Sequence, residues 1–171
     1  MTAPASPAAA ELVHELRRQE ENCSYSAASL YLWFKFLRMF KACALTLQVV
    51  LGALATWKVL TKDYALLTAA FALGASVIAP LLSAMKVSDE IAAAKAAAGE
   101  FTALRDRFRR AALVDSQEPF DEFESVAKEL FDRMDKARMG STAPPEPFFW
   151  LAQRKTRSGH FEHDYDQQRK P

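Results

Sequence analysis

Histidine and carboxylate side chains at short spacing are where catalytic or metal chemistry would first show in a chain of this size. His160 and His163 lie beside Asp164 and Asp166, a donor set that suits weak binding of a divalent cation. They fall in a charged stretch with few apolar residues to hold them, so solvated surface residues are the favoured reading. His14 stands alone near the other end. Asp121, Glu122 and Glu124 follow Pro119 closely, where carboxylates complement the positive end of a helix. Cys23 and Cys43 lie 20 residues apart with no histidine partner, which matches neither a zinc site nor a disulfide framework. A P-loop, a dinucleotide glycine fingerprint, a nucleophile elbow, an HExxH run and a paired CxxC are all missing from the chain. The residues point to no enzyme, no metal site and no cofactor.

The remaining polar chemistry lies inside two apolar runs. One carries Gln48, Gly52, Ala55 and Thr56, and the other carries Thr68, Ala72, Ala75, Ser76, Ala79 and Ser83, each set at helical spacing. Small residues let helices approach closely, and a glutamine amide in lipid needs a polar partner. Such stripes line a conduit between subunits or pack the two helices of one hairpin against each other, and spacing alone leaves both readings open.

The elements that position these stripes follow from the charges. The chain has 171 residues, with 22 basic against 21 acidic side chains for a net charge of +1. No strong positive field marks a dedicated nucleic-acid binder, and the length leaves little room for a separate catalytic module. The mean hydropathy of −0.11 is the average of unlike parts. Sixteen uncharged residues separate Lys41 from Lys58 and 22 separate Asp63 from Lys86, so residues 42–85 hold only three charges. At about 1.5 Å per residue the second run reaches about 33 Å, against a hydrocarbon core of about 30 Å. The first reaches about 28 Å if Lys58 snorkels beside the interfacial ring of Trp57. These lengths predict a transmembrane hairpin, with helices at 42–60 and 64–85 and a short external turn at 61–63. Lys41, Trp57, Lys58, Tyr64 and Lys86 are the expected anchors at its interfaces. A soluble bundle with two buried helices is the competing reading. Pro80 and the glycines Gly52 and Gly74 are better tolerated among lipid-embedded helices.

Lys35, Arg38, Lys86, Lys95 and the arginines from Arg105 to Arg110 flank the outer ends of the runs. The positive-inside bias therefore puts both termini in the cytoplasm. The opening residues carry no basic region followed by a long apolar one, so no cleavable signal peptide is expected.

The polar flanks have helical periodicity. Residues 1–10 read as a flexible start, and 11–41 as a helix continuing into the membrane, with Leu16, Cys23, Ala27, Leu30, Phe34 and Leu37 along one face. Residues 86–113 form a second stripe of Val87, Ile91, Ala94, Ala98, Phe101, Leu104, Phe108 and Ala112. A third, at 118–139, carries Phe120, Phe123, Ala127, Leu130, Met134 and Ala137 up to Gly140. Together they predict an all-α chain, a transmembrane hairpin with long cytoplasmic helices forming an antiparallel bundle. The same stripes could serve as an oligomer seam. Residues 140–151 read as an extended or turning Pro/aromatic segment from Pro144 to Trp150, with Trp150 an aromatic anchor on the bundle or the lipid interface. A disordered charged tail is expected over 152–171.

The run YSAASLYLWFKFLRMFKACALTLQVVLGALATW, the second apolar run with its Ala-rich sequel AAAKAAAGEFTALRDRFRR, and the closing APPEPFFW together resemble the SLATT family. These are small SMODS- and SLOG-associating two-transmembrane effector proteins, related to a family once catalogued as a domain of unknown function. The resemblance covers residues 11 to 151 and rests on layout with loose motifs. It implies a homo-oligomeric, pore-forming effector of a bacterial conflict or anti-phage system in the inner membrane, gated from the cytoplasm. A nucleotide-second-messenger sensor or synthase encoded nearby is the implied partner, besides the lipid bilayer. A membrane-anchored adaptor, whose bundle binds a partner protein without pore activity, is the alternative that the residues leave open.

Overall fold

The structure, a computed structural model, describes residues 7–59, 65–141 and 143–157. It is helical throughout these residues: α1 (Pro7–Val59), α2 (Ala65–Ala84), α3 (Val87–Leu113), a 3-10 turn (Asp115–Gln117), α4 (Phe120–Gly140) and α5 (Glu146–Arg157). The chain divides into two compact units, one of residues 1–33 with 94–171 and the other of residues 34–93. The N-terminal residues 1–6, the 61–63 turn and the tail beyond Arg157 lie outside the described residues.

No proline interrupts the sequence between Pro7 and Pro80, and α1 runs unbroken through Gly52. It begins at Pro7, within the stretch expected to be flexible, because proline suits a first helical turn whose N–H groups have no partners anyway. α2 and α3 are separated by Met85 and Lys86, where Lys86 takes a φ of 50°. The Lys86 N–H donates to the Ser83 carbonyl and its own carbonyl accepts from the N–H groups of Asp89 and Glu90. One residue thus closes α2 and opens α3.

In the first unit, α1, α3 and α4 form an up-down-up bundle. Leu16, Cys23, Ala27 and Leu30 of α1, Ala98, Phe101, Leu104 and Phe108 of α3, and Phe123, Ala127, Leu130 and Met134 of α4 make one continuous core. Cys23 Sγ lies 3.9 Å from Met134 Sδ. Phe108 and Phe131 place their ring centroids 5.9 Å apart. The predicted stripes therefore face one another within the chain. Phe120 is the exception in the third stripe, standing exposed at the first turn of α4, where no helix yet covers it.

α5 corrects two expectations. The extended or turning segment expected at 140–151 gives way to helix from Glu146, and the helix runs past the boundary set at 152 for the charged tail, since residues 146–157 form one element. Pro147 sits in its first turn, where a missing N–H is harmless, and the Phe148 N–H donates to the Pro145 carbonyl. Phe148 meets Trp33 of α1 edge to face at 5.0 Å, and Ala152 is fully buried. The aromatic segment thus folds back onto the bundle.

Arg133 Nε donates to Glu100 Oε1 at 2.8 Å, tying α4 to α3. That hydrogen bond from Arg133 holds the Glu100 carboxyl below the usual carboxylate range, against the opposing effect of desolvation, with the positive charges of Arg133 and Arg107 adding to it. The folded pKa lies below that of the unfolded chain. The stabilisation is therefore present above the unfolded value and is lost as pH falls through the folded one. Both side chains are more than a third exposed, so Glu100→Gln is expected to cost only about 0.5 kcal/mol at neutral pH. Paired urea titrations of the two proteins should show that gap closing as pH is lowered through the carboxylate range.

Candidate functional site

The second unit, residues 34–93, holds both apolar runs. A Cβ built on Gly74 of α2 would lie 3.4 Å from Leu51 Cδ1 of α1, and Lys41 Nζ donates to Ser88 Oγ at 2.8 Å. Moving back from 51 to 41 on α1 thus moves forward from 74 to 88, so α1 and α2 pack antiparallel as a hairpin.

Burial sorts the candidate residues into two groups. On α1, Gln48 and Gly52 are half-buried and Ala55 is buried, while Thr56 is exposed; a Cβ added at Gly52 would meet nothing within 4 Å. On α2, Thr68 and Ala75 are half-buried alongside Phe71, Gly74, Ile78 and Leu82. Ala72, Ser76, Ala79 and Ser83 are exposed. The hairpin is therefore packed by the stripe adjacent to the small-residue one. Phe71, Ile78 and Leu82 offer more dispersion contact than alanine or serine, and Gly74 lets Leu51 come close. The more buried candidates are Gln48, Ala55, Thr68 and Ala75, on the covered side of the hairpin, while the other α2 candidates are turned away from it.

Two of the hydroxyls in these runs bond within their own helices. Thr56 Oγ1 donates to the carbonyls of Gly52 and Ala53 at 3.2 and 2.9 Å, and Ser76 Oγ to the Leu73 carbonyl at 2.8 Å. Such back-bonding lowers the cost of a hydroxyl in an apolar medium. Two features are left over. Pro80 has no N–H, so the Ser76 carbonyl four residues earlier lacks its usual helical donor. Among the described residues, no side-chain hydrogen bond reaches the Gln48 amide.

Of the expected anchors, Lys41 and Lys86 lie at one end of the hairpin, with the Lys41 ammonium on Ser88. Trp57 is exposed at the other end; the Lys58 side chain and Tyr64 lie outside the described residues. Trp150 belongs to the bundle unit, on α5. His160, His163, Asp164 and Asp166 also fall outside the described residues. Cys23 is an inert thiol: burial pushes it up to about 11, with Arg138 pulling the other way and Glu20 adding to the rise. The nucleophilic thiolate is therefore scarce at neutral pH.

α2 is 20 residues long with no buried residue, and it and the apolar part of α1 are each long and apolar enough to cross a membrane. A core helix of a soluble bundle would bury such a surface. Here it is left bare. The SMODS and SLOG-associating 2TM effector domain, in its fungal form, matches residues 16–139, well over half of the chain. The protein belongs to the SLATT family. The matched region takes in all of α2 and α3 and nearly all of α4, so the two-helix hairpin and the three-helix bundle are both parts of the SLATT domain. The family is defined as an effector domain associated with SMODS and SLOG systems rather than by a reaction. No significantly similar curated protein or solved structure was found.

Proposed function

We propose that this SLATT protein is a membrane effector whose hairpins assemble, copy against copy, into a pore that breaches the bilayer when the bundle side is triggered. The observation that carries this reading is the division of α2 into two faces. One packs on α1, and the other presents Ala72, Ser76, Ala79 and Ser83 outward, with the Ser76 carbonyl short of a donor opposite Pro80. Two helices cannot enclose a conduit, so a pore needs several hairpins. Small residues allow the close approach between them, and water or a neighbouring chain supplies the missing donor.

Both termini lie on the cytoplasmic side in this reading, following the basic residues around Lys35, Arg38, Lys86 and Lys95. The resemblance to bacterial members pointed to an inner membrane and anti-phage defence. The match is to the fungal form of the domain, so the proposal keeps the membrane and the effector role and leaves the host and the membrane's identity aside. Association with SMODS and SLOG systems supports a second-messenger system as the source of the trigger.

The test is release of an encapsulated dye from liposomes by the purified full chain. The parent protein should release dye once assembled, and Ser76→Leu should abolish release while the hairpin still inserts, since Ser76 lies off the α1 seam. Intact leakage with Ser76→Leu would remove this face from the conduit. Failure of the parent to release dye in any oligomeric state would leave the hairpin as an anchor and the bundle as an adaptor.

A further inference from the structure

Within the bundle unit, α5 walls one side of an open cavity of about 530 Å³. That volume falls within the range of about 300–1,000 Å³ typical of small-molecule sites. Leu30 of α1, Phe101 of α3, Pro144 and Trp150 give it apolar walls, and Arg138 and Glu146 supply the charges. Its floor is firm, because Leu30, Phe101 and Ser29 are all buried. Ser29 Oγ donates to the Ser26 carbonyl at 2.9 Å, so its proton already has an acceptor.

The charges at the rim narrow the ligand. Arg138 is loosely held, with Nη1 3.9 Å from Asp135 Oδ1 and Nη2 3.3 Å from the Gln19 amide oxygen. Both contacts are longer than the about 2.7–2.9 Å of a committed charge-assisted hydrogen bond. A guanidinium in that state can turn to an incoming oxyanion at little cost. Arg154 stands 5.9 Å over the Trp150 ring, beside the cavity though not among its lining residues. Glu146 opposes them with one carboxylate, and it opens α5, where the helix dipole favours its negative charge. Asp135, 3.9 Å from Arg138, is a second carboxylate nearby, so the surroundings accommodate one added acid on Arg138 and disfavour a second.

We propose that this cavity is a binding site for a planar aromatic molecule bearing one acidic group, its ring against Trp150 over the Leu30 and Phe101 floor and its acid on Arg138. The site suits a flat ring because the exposed Trp150 offers an aromatic face above a floor closed by the buried Leu30 and Phe101. The acid is selected by Arg138, whose planar fork matches a carboxylate better than a point charge would. The site lies wholly in the bundle, and its occupancy is independent of whether the hairpins form a pore.

The probe is 2-naphthoate, titrated calorimetrically into the full chain in lipid nanodiscs, with empty nanodiscs subtracted. One saturable site per chain is expected. Arg138→Gln should weaken binding by about tenfold or more, equivalent to about 1.4 kcal/mol, whereas Lys136→Gln, an exposed cation on the same helix, should leave it unchanged. The neutral 2-naphthamide should bind as weakly to the parent as 2-naphthoate does to Arg138→Gln. Ala143→Trp, which fills the cavity from an exposed position on its rim, should also remove binding. Circular dichroism identical to the parent confirms that these surface variants fold. Heat no different from that of empty nanodiscs would overturn the proposal, as would equal affinity of the parent and Arg138→Gln. A chain that binds naphthoate yet releases no dye would refute the pore reading alone.

Discussion

Phe108→Ala is expected to destabilise the bundle by about 3–5 kcal/mol, the range for deleting a fully buried aromatic ring. Phe108 is completely buried in α3, in the core cluster shared with α1 and α4, and its ring meets Phe131 at 5.9 Å between centroids. The loss combines the transfer energy of the ring with a void between three long helices that cannot collapse inward without unseating Leu104 and Phe123. Small domains have only about 5–15 kcal/mol of net stability, so the substitution consumes a large share of it. Chemical denaturation followed by circular dichroism, on detergent-solubilised full chain, measures the change. Phe108→Leu should cost less than about 1.5 kcal/mol, because most of the volume is kept. A Phe108→Ala loss below about 1 kcal/mol would mean that the ring does not hold these helices together.

Leu73→Arg separates a membrane-spanning α2 from a water-exposed one, since the two readings give opposite signs. Leu73 is 69% exposed and sits near the middle of α2. In water, arginine there would remove an exposed apolar group and improve solubility. In a bilayer, a central arginine costs about 2.5–3.5 kcal/mol of insertion, a shift of about two orders of magnitude in the inserted fraction. The fraction of protein left in membranes after alkaline carbonate washing should fall sharply for Leu73→Arg and stay at the parent level for Leu73→Ile. Unchanged membrane retention of the arginine variant would overturn the transmembrane reading of this helix.

Much of the bundle is legible from residue spacing. Leu16, Cys23, Ala27 and Leu30 recur at steps of three, four and seven, as do Ala94 to Phe108 and Phe123 to Met134, and a helix with one apolar stripe must cover it. Charge spacing likewise marks α2, because a run of 22 uncharged residues leaves few alternatives. The candidate site was legible only as a set of residue types. Gln48 to Thr56 and Thr68 to Ser83 could be named, but not which of them face α1. That choice depends on whether Phe71 and Ile78 or Ala72 and Ala79 make the better contact with Leu51, and composition at a given spacing does not weigh the two faces. α5 was hidden for another reason. Three prolines in four positions suggest extended chain, and only the docking of Phe148 on Trp33 and the burial of Ala152 turn the segment into a helix.

The sequence by itself determined the helical class, the two apolar runs and the three stripes, because each follows from hydrophobic period and charge placement along a single helix. Tertiary structure decided what meets what. It joined Arg133 to Glu100, turned Ser76 and Ala79 away from the hairpin seam, and assembled a cavity from Leu30, Phe101, Arg138 and Trp150, which are separated by as many as 120 positions in the chain. Contacts of that kind depend on the relative rotation and axial offset of whole helices. Those are set by the summed fit of many side chains, and no local pattern of residues records them.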